Sequence, residues 1–348
     1  NKILGINNII NPSYSENYIK CPSNNKENYD DYLKNEMKTA NIANTKSKFN
    51  KAEVGKQKIL LIFSAIFFIY GVVFYYLPLG GWLMAFQNFK LKTGLLHSKF
   101  VGLDKFRFLF EDKVFLQVIR NTLAMGVLNL VAQTVMAIVF AILLNEVNNR
   151  FGKKAIQTIS YLPHFLSWII VTGIIHDALS STGIVNELLV NFGLIDSEIN
   201  FFAHEGFFWP IVAFVNVWKE TGFNAIIYLA AITSIDPSLY EAAVMDGAGR
   251  WAKIKYVTFP GIRPTIMILL LINVGNILNA GFEVQYLLGN GLVQNVSKTI
   301  DIYVLDWGIS QSDYSLGTAA GMFKSVVAII LVVAANAIAK KTGEEHLF

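Results

Sequence analysis

Cysteine is nearly absent from this chain: a single residue, Cys21, in 348 excludes an internal disulfide and a cysteine zinc cluster. Charge is scarce as well, at 16% Asp, Glu, Lys and Arg against about 25% in soluble domains. There is no GxxxxGK[ST] phosphate loop. The nearest text, FGKKA at 151–155, lacks both the first glycine and the hydroxyl residue. No Ser, His and Asp set and no close carboxylate pair converges on a plausible site, so the chain alone is expected neither to hydrolyse ATP nor to modify a substrate. His164 and His176 lack the spacing of a metal pair and read as packed or interfacial histidines. Neither a metal nor a cofactor is expected.

What the chain has instead is apolar residues, 53% of the total, with a mean hydropathy of +0.44. They collect into six runs of about 20 residues, the length that crosses a hydrocarbon core about 30 Å thick. The runs read as 59–79, 119–144, 156–176, 207–232, 264–288 and 318–339, which predicts an all-α protein spanning the lipid bilayer six times. The first run is too long for a signal peptide, and Tyr75, Tyr76, Leu77 and Pro78 offer no cleavage site, so it is expected to stay as an anchor. Residues 1–50 are rich in Asn, Lys, Ser and Tyr without hydrophobic periodicity and are expected to form a disordered cytoplasmic tail. Residues 51–116 then carry the first span and an outer segment, 117–340 the core, and 341–348 a second short tail.

The charge of +4 and pI near 8.9 orient the helices rather than mark a nucleic-acid partner. Lys46, Lys48, Lys51, Lys56 and Lys58 precede the first span; Arg150, Lys153 and Lys154, then Arg250, Lys253, Lys255 and Arg263, then Lys340 and Lys341 fall between alternate spans or after the last. Because Lys and Arg resist translocation, these segments are cytoplasmic and both termini lie inside. The stretch from Asp177 to Gly206 has no Lys or Arg, and 289–317 has only Lys298. The exception is the first outer segment, where FVGLDKFRFLFEDKVFLQVI alternates apolar and charged groups at helical spacing and predicts an amphipathic interfacial helix.

Between the fourth and fifth runs lies a structured inner loop, 234–262. Asp236 can cap a helix beginning at Pro237, whose missing N–H would be orphaned there anyway. Leu239, Ala242, Ala243 and Val244 or Met245 give it an apolar side, and Glu241 and Asp246 stay polar. Gly247 and Gly249 permit a bend, and Arg250 to Val257 can form a second short helix ended by Pro260. A loop this apolar suggests a docking surface.

At these residues the sequence resembles the permease subunits of bacterial ATP-binding-cassette importers, with a MetI-like transmembrane fold. Their hallmark is an EAA triplet, three residues, Gly, nine residues, then Ile-x-Leu-Pro. Glu241, Ala242, Ala243, Gly247, Val257, Phe259 and Pro260 fall at that spacing, with Val for Ile and Phe for Leu. Segments such as SYLPHFLSWII, WKETGFNAIIYLAAITSIDPSLYEAAVMDGAGRW and FPGIRPTI are similar to the sugar branch, in particular the LplB-like permeases of oligosaccharide or polysaccharide uptake. The resemblance implies that the loop is a coupling helix inserted into a cytoplasmic ATPase dimer. Glu241 would meet a basic group, Gly247 would shape the bend, and Asp246, Arg250 and Trp251 would rim the contact. It implies three further partners: a second permease completing the pore as a heterodimer, an extracytoplasmic solute-binding protein, and an oligosaccharide substrate.

Polar residues within the runs are costly, about 2.5–3.5 kcal/mol for a charge at mid-membrane. Asn273, Asn276, Asn279 and Glu283, at spacings of three, three and four, would share one stripe of the fifth helix, with Phe282 and Tyr286 close by. Carboxamides, a carboxylate and aromatic faces suit a sugar, so this stripe is the candidate translocation path; asparagines can equally bond neighbouring helices. In the fourth run, Trp218 stands beside Lys219 and Glu220. These two are expected to point about 100° apart and to seek other partners or a wet cavity. Asn121, Met125, Asn129 and Gln133 repeat every four residues in the second run, and Asn129 and Gln133 are expected to bond the partner subunit. Lys324 is expected to snorkel outward. An importer of another solute, an ion-driven secondary transporter and a membrane scaffold are the competing readings. A secondary transporter would call for inverted repeats and broken midplane helices, neither of which is evident in the text.

Overall fold

The computed structural model describes residues 57–347; the expected tail over 1–50 lies outside them. The described residues fall into two units, 57–75 and 76–347. In the first, α1 (Lys58–Gly71) is a uniformly apolar helix with no buried residue, as a segment solvated by lipid requires. Its helical run widens into a π turn at Val72–Tyr76 and tightens to 3₁₀ over Leu77–Phe86, extending the expected first span at its far end.

The second unit is helical apart from a two-residue antiparallel ladder, β1 (Gln87–Asn88) with β2 (Lys99–Phe100), which closes around the short α2 (Gly94–His97). The amphipathic stretch beyond it is two helices, not one. α3 (Asp104–Glu111) ends at Asp112, whose side chain accepts the Val114 N–H at 2.9 Å and so caps α4 (Lys113–Asn145). The charged part is therefore short, and the second span starts before its apolar run does.

Two further caps set the next boundaries. Asn149 accepts the Phe151 and Gly152 N–H groups to start α5 (Arg150–Tyr161). Ser167 starts α6 (Trp168–Leu179). The expected third span, 156–176, is thus interrupted by a 3₁₀ turn at Leu162–Phe165 containing Pro163, because proline cannot donate to the preceding turn. After α7 (Ile184–Asn191) comes α8 (Glu205–Thr233), followed by α9 (Pro237–Met245) and α10 (Arg250–Lys253). A π turn, Ile254–Thr258, joins α10 to α11 (Phe259–Gly275).

Pro260 does not end the second helix of the loop. The Phe259 N–H reaches back five residues to the Ile254 carbonyl, and this widened turn takes up the missing donor, so one helical rod runs from Arg250 to Gly275. The expected fifth span, 264–288, is in turn broken. Past Gly275 the chain makes a 3₁₀ turn at Ile277–Asn279, then enters left-handed geometry at Ala280 (φ 44°) and Gly281 (φ 74°) before α12 (Phe282–Leu288). α13 (Gln294–Ser297), α14 (Ile300–Leu305) and α15 (Tyr314–Lys341) complete the described chain.

Among the described residues, five helical runs are long and apolar enough to cross a bilayer: Lys58–Phe86, Lys113–Asn145, Trp168–Asn191, Arg250–Gly275 and Tyr314–Lys341. At most 22% of the most apolar stretch of each is buried, which fits elements whose outer surface faces lipid. α8, at 29 residues, is long enough, but Lys219, Glu220 and its asparagines lower its hydropathy. It is nonetheless a core element, packed along α4 and burying Phe208, Val212, Val215 and Tyr228.

Candidate functional site

Two constructions stand out in the second unit: an exposed loop between long helices and a polar cavity among the helices. In the loop, Asp236 caps α9 as its sequence demands, accepting the Ser238 N–H at 2.9 Å. That backbone donor holds the Asp236 carboxyl below its ordinary value. At the other end Gly247 sits at φ 77°. The Ala248 N–H reaches the Ala243 carbonyl (2.9 Å) and the Gly247 N–H reaches that of Val244 (3.0 Å), the paired closure that needs a left-handed residue after the helix. No atom lies within 4 Å of where a Gly247 Cβ would stand, so glycine is required by conformation, not by space.

The loop is tied to its surroundings at two points. The Tyr240 hydroxyl lies 3.0 Å from Thr258 Oγ1, and Arg250 Nε stands 4.0 Å from Glu146 Oε2 at the end of α4. Its outward side is apolar: Leu239, Val244, Met245 (86% exposed) and Trp251 (83% exposed) all face solvent. Glu241 and Asp246 are exposed beside them, and their carboxylates have no hydrogen bond or ion pair among the described residues. Ala242 is exposed and Ala243 half-buried, while Pro260 is exposed at the start of α11.

The cavity, about 340 Å³ and open on one side, is lined by α4, α8, the end of α11 and the break after it. Asn129 and Gln133 come from α4, Asn216, Asn224 and Tyr228 from α8, and Asn273, Asn276 and Asn279 from the end of α11 and the break. The helices approach closely enough only because Gly126 lacks a side chain: a Cβ there would lie 1.9 Å from the Ile277 carbonyl oxygen. Asn216 Nδ2 donates to the Val212 carbonyl and Asn279 Nδ2 to Asn276 Oδ1. The Asn129 carbonyl oxygen, on a residue only 8% exposed, has no partner.

The break divides the expected asparagine stripe. Asn273, Asn276 and Asn279 share the cavity, but Glu283 borders a second one of about 560 Å³ together with Asn279 and Asp301. Tyr286 stacks on Phe282 (5.5 Å) and lines a third cavity, with Lys298 and Asp306. Trp218, Lys219 and Glu220 line none of these cavities. Against expectation, Lys219 and Glu220 do pair, at 3.1 Å. The long lysine stem swings round to a shared third group: Lys219 Nζ donates to the His164 carbonyl (2.8 Å), and His164 Nδ1 lies 2.7 Å from Glu220 Oε2. Lys219 Nζ also sits 4.8 Å above the Trp168 ring, and His164 stacks flat on Phe223. The cluster pins α8 to the interruption between α5 and α6. Lys324 likewise does not snorkel; its ammonium pairs with Asp301 at 2.6 Å. Asn121 bonds the Asn295 and Lys298 carbonyls. Among the described residues there is no group of three or more His, Cys, Asp and Glu side chains able to hold a metal ion.

Comparison with known proteins gives a consistent result. Residues 133–343 match the family described as binding-protein-dependent transport system inner membrane component. The polygalacturonan/rhamnogalacturonan transport system permease protein YteP of Bacillus subtilis (strain 168) is 42% identical over 294 residues, 84% of this chain and 91% of that protein. Protein LplB of the same organism is 42% identical over 281 residues, 80% of this chain and 88% of that one. A crystal structure of a bacterial alginate ABC transporter, in complex with an alginate pentasaccharide-bound periplasmic protein, superposes on 85% of this chain and 99% of its own with a TM-score of 0.78 at 38% identity.

Proposed function

Because this chain belongs to the inner-membrane components of binding-protein-dependent transport systems, we propose that it forms half of the translocation pathway of an ATP-driven importer for oligosaccharides or polysaccharide fragments. It is a multi-pass protein of the plasma membrane. Six crossings, with α8 as the fourth and both termini inside, place the α9–α10 loop in the cytoplasm, in keeping with the Lys and Arg distribution. There α9 enters a cleft of a cytoplasmic ATPase dimer, a sister permease completes the pore, and a solute-binding protein delivers ligand from outside.

The observation that carries this reading is the loop itself. A capped, glycine-closed helix exposing Leu239, Val244 and Met245 around an unpaired Glu241, with Trp251 exposed beside it on α10, is costly in water and complementary to an apolar cleft with a basic group. ATP binding closes the ATPase dimer, the closure displaces α9, and the rod from Arg250 to Gly275 carries that displacement to the carboxamide cavity. The importer needs no chemistry from this chain beyond docking, transmission and a polar route.

A broken helix beside a polar cavity is also a feature of ion-coupled secondary transporters, so the energy source decides between the two readings. Glu241→Lys and Gly247→Asp are expected to abolish ATP-driven uptake and weaken co-purification of the ATPase while leaving membrane insertion intact. Normal uptake in both variants, or accumulation by vesicles holding this chain without an ATPase, would remove the assignment.

A further inference from the structure

One helix serves neither the docking loop nor the carboxamide cavity: α5 (Arg150–Tyr161), which follows α4 and leads through Pro163 into α6. At about 100° per residue its sequence RFGKKAIQTISY divides into two sides. Phe151, Ala155, Ile156 and Ile159 fall on one, and Arg150, Lys154, Gln157 and Tyr161 on the other. The Ser160 backbone backs onto Gly222 of α8, while the apolar side stays uncovered. Phe151 is 83% and Ile159 71% exposed, and the exposed Leu162 and Phe165 continue the strip toward α6. Arg150 and Lys154 are exposed and Lys153 is half-buried, and none of the three has an ion pair among the described residues. No Asp or Glu lies between Glu146 and Asp177, and Glu146 itself faces Arg250 at 4.0 Å.

We propose that α5 lies in the membrane interface and that Arg150, Lys153 and Lys154 form a site for the phosphodiester headgroup of an anionic phospholipid. The helix joins two apolar runs long enough to cross the bilayer, Lys113–Asn145 and Trp168–Asn191, so its place is at a membrane surface. An uncovered apolar strip beside unneutralised cations is how an interfacial amphipathic helix binds, because apolar burial and attraction to anionic lipid add. A protein partner would satisfy the cations but would also have to cover a strip that runs on through Leu162 and Phe165 toward the span. Acyl chains cover that strip without a break. Each Lys or Arg near the surface favours anionic lipid about fivefold. Because Glu146 meets Arg250, the headgroup site borders the docking loop.

Phe151→p-benzoylphenylalanine sets a photo-crosslinker among the three cations, one aromatic for another. The full permease–ATPase complex carrying it is irradiated in nanodiscs of equal phosphatidylglycerol and phosphatidylcholine, and the adducts are identified by mass spectrometry. Phosphatidylglycerol is expected to be captured at least about fivefold over phosphatidylcholine. Arg150→Gln, Lys153→Gln and Lys154→Gln together should bring the ratio to about one, whereas Arg150→Lys, Lys153→Arg and Lys154→Arg together should keep it. Equal capture of the two lipids before neutralisation, or a preference that survives it, overturns the headgroup site. Capture of an ATPase or sister-permease peptide in place of lipid, or no adduct at all, overturns the interfacial placement. The ratio before neutralisation decides even if the neutralised complex fails to assemble. Neither solute nor uptake enters the readout, so the importer reading stands or falls separately, by ATP-driven uptake and by ATPase co-purification with the Glu241→Lys variant.

Discussion

Replacing Gly126 by alanine is the most direct probe of the broken fifth helix. The added methyl would lie 1.9 Å from the Ile277 carbonyl oxygen and 2.9 Å from its carbon, where an ordinary carbon–oxygen contact is about 3.3–3.6 Å. The obstacle is backbone, so no rotamer change relieves it, and the two segments must separate by about 1.4 Å. Overpacking of this kind costs about 1–3 kcal/mol. Ile277 stands between Asn276 and Asn279, so its displacement also moves two walls of the cavity. Thermal unfolding of the purified complex should show a midpoint lowered by several degrees, and ATP-driven uptake should fall further than stability alone explains. Gly173→Ala is the control, because a Cβ at that position meets no atom within 4 Å. If Gly126→Ala keeps both the wild-type midpoint and wild-type uptake, the Ile277 turn does not press on α4 and the break is not where it is described.

Four further outcomes are expected. Gly222→Ala sets a methyl 2.0 Å from the Ser160 carbonyl oxygen and should loosen α5 from α8, seen as faster amide exchange in α5. Glu220→Gln leaves Lys219, 5% exposed at its side chain, without a carboxylate; breaking such a pair costs up to about 3 kcal/mol, and Lys219→Met introduced with it should recover much of the midpoint. Gly247→Ala forces a Cβ into left-handed geometry at about 1–2 kcal/mol, so ATPase affinity should drop, with Gly247→Asn milder. The depressed Asp236 carboxyl stabilises α9 fully above the ordinary carboxylate range and loses that contribution as pH falls through its lowered value; protection of the α9 amides, taken relative to their intrinsic exchange rates at each pH, should fall in acid, and Asp236→Asn should remove that pH dependence.

Much of this architecture is written in local chemistry. Apolar length gave the long spans, and Asp236, Pro237 and Gly247 marked both ends of α9 because capping and left-handed closure depend on those residues alone. The break at 276–281 was hidden because the apolar run continues through it. Its signals were modest: Gly275 with Asn276, then Asn279, Ala280 and Gly281, a turn-forming composition inside a hydrophobic run. Pro260 misled in the opposite sense, since a widened turn before it absorbs the lost donor. Lys219 and Glu220 show the limit of helical-wheel geometry: adjacent side chains diverge at Cβ, yet a four-carbon stem and a shared histidine bring their charges together. Asn129 and Gln133 face the same cavity as Asn273 only through tertiary contact, which spacing within one helix does not encode.

The continuity from Arg250 to Gly275 has a mechanical consequence. Its 26 residues, at 1.5 Å each, make a lever of roughly 39 Å. Pivoting at the left-handed turn of Ala280 and Gly281, a tilt of only about 3° over that length carries the Arg250 end through roughly 2 Å. A bar that pivots there can tilt as one piece, without any helix having to unwind.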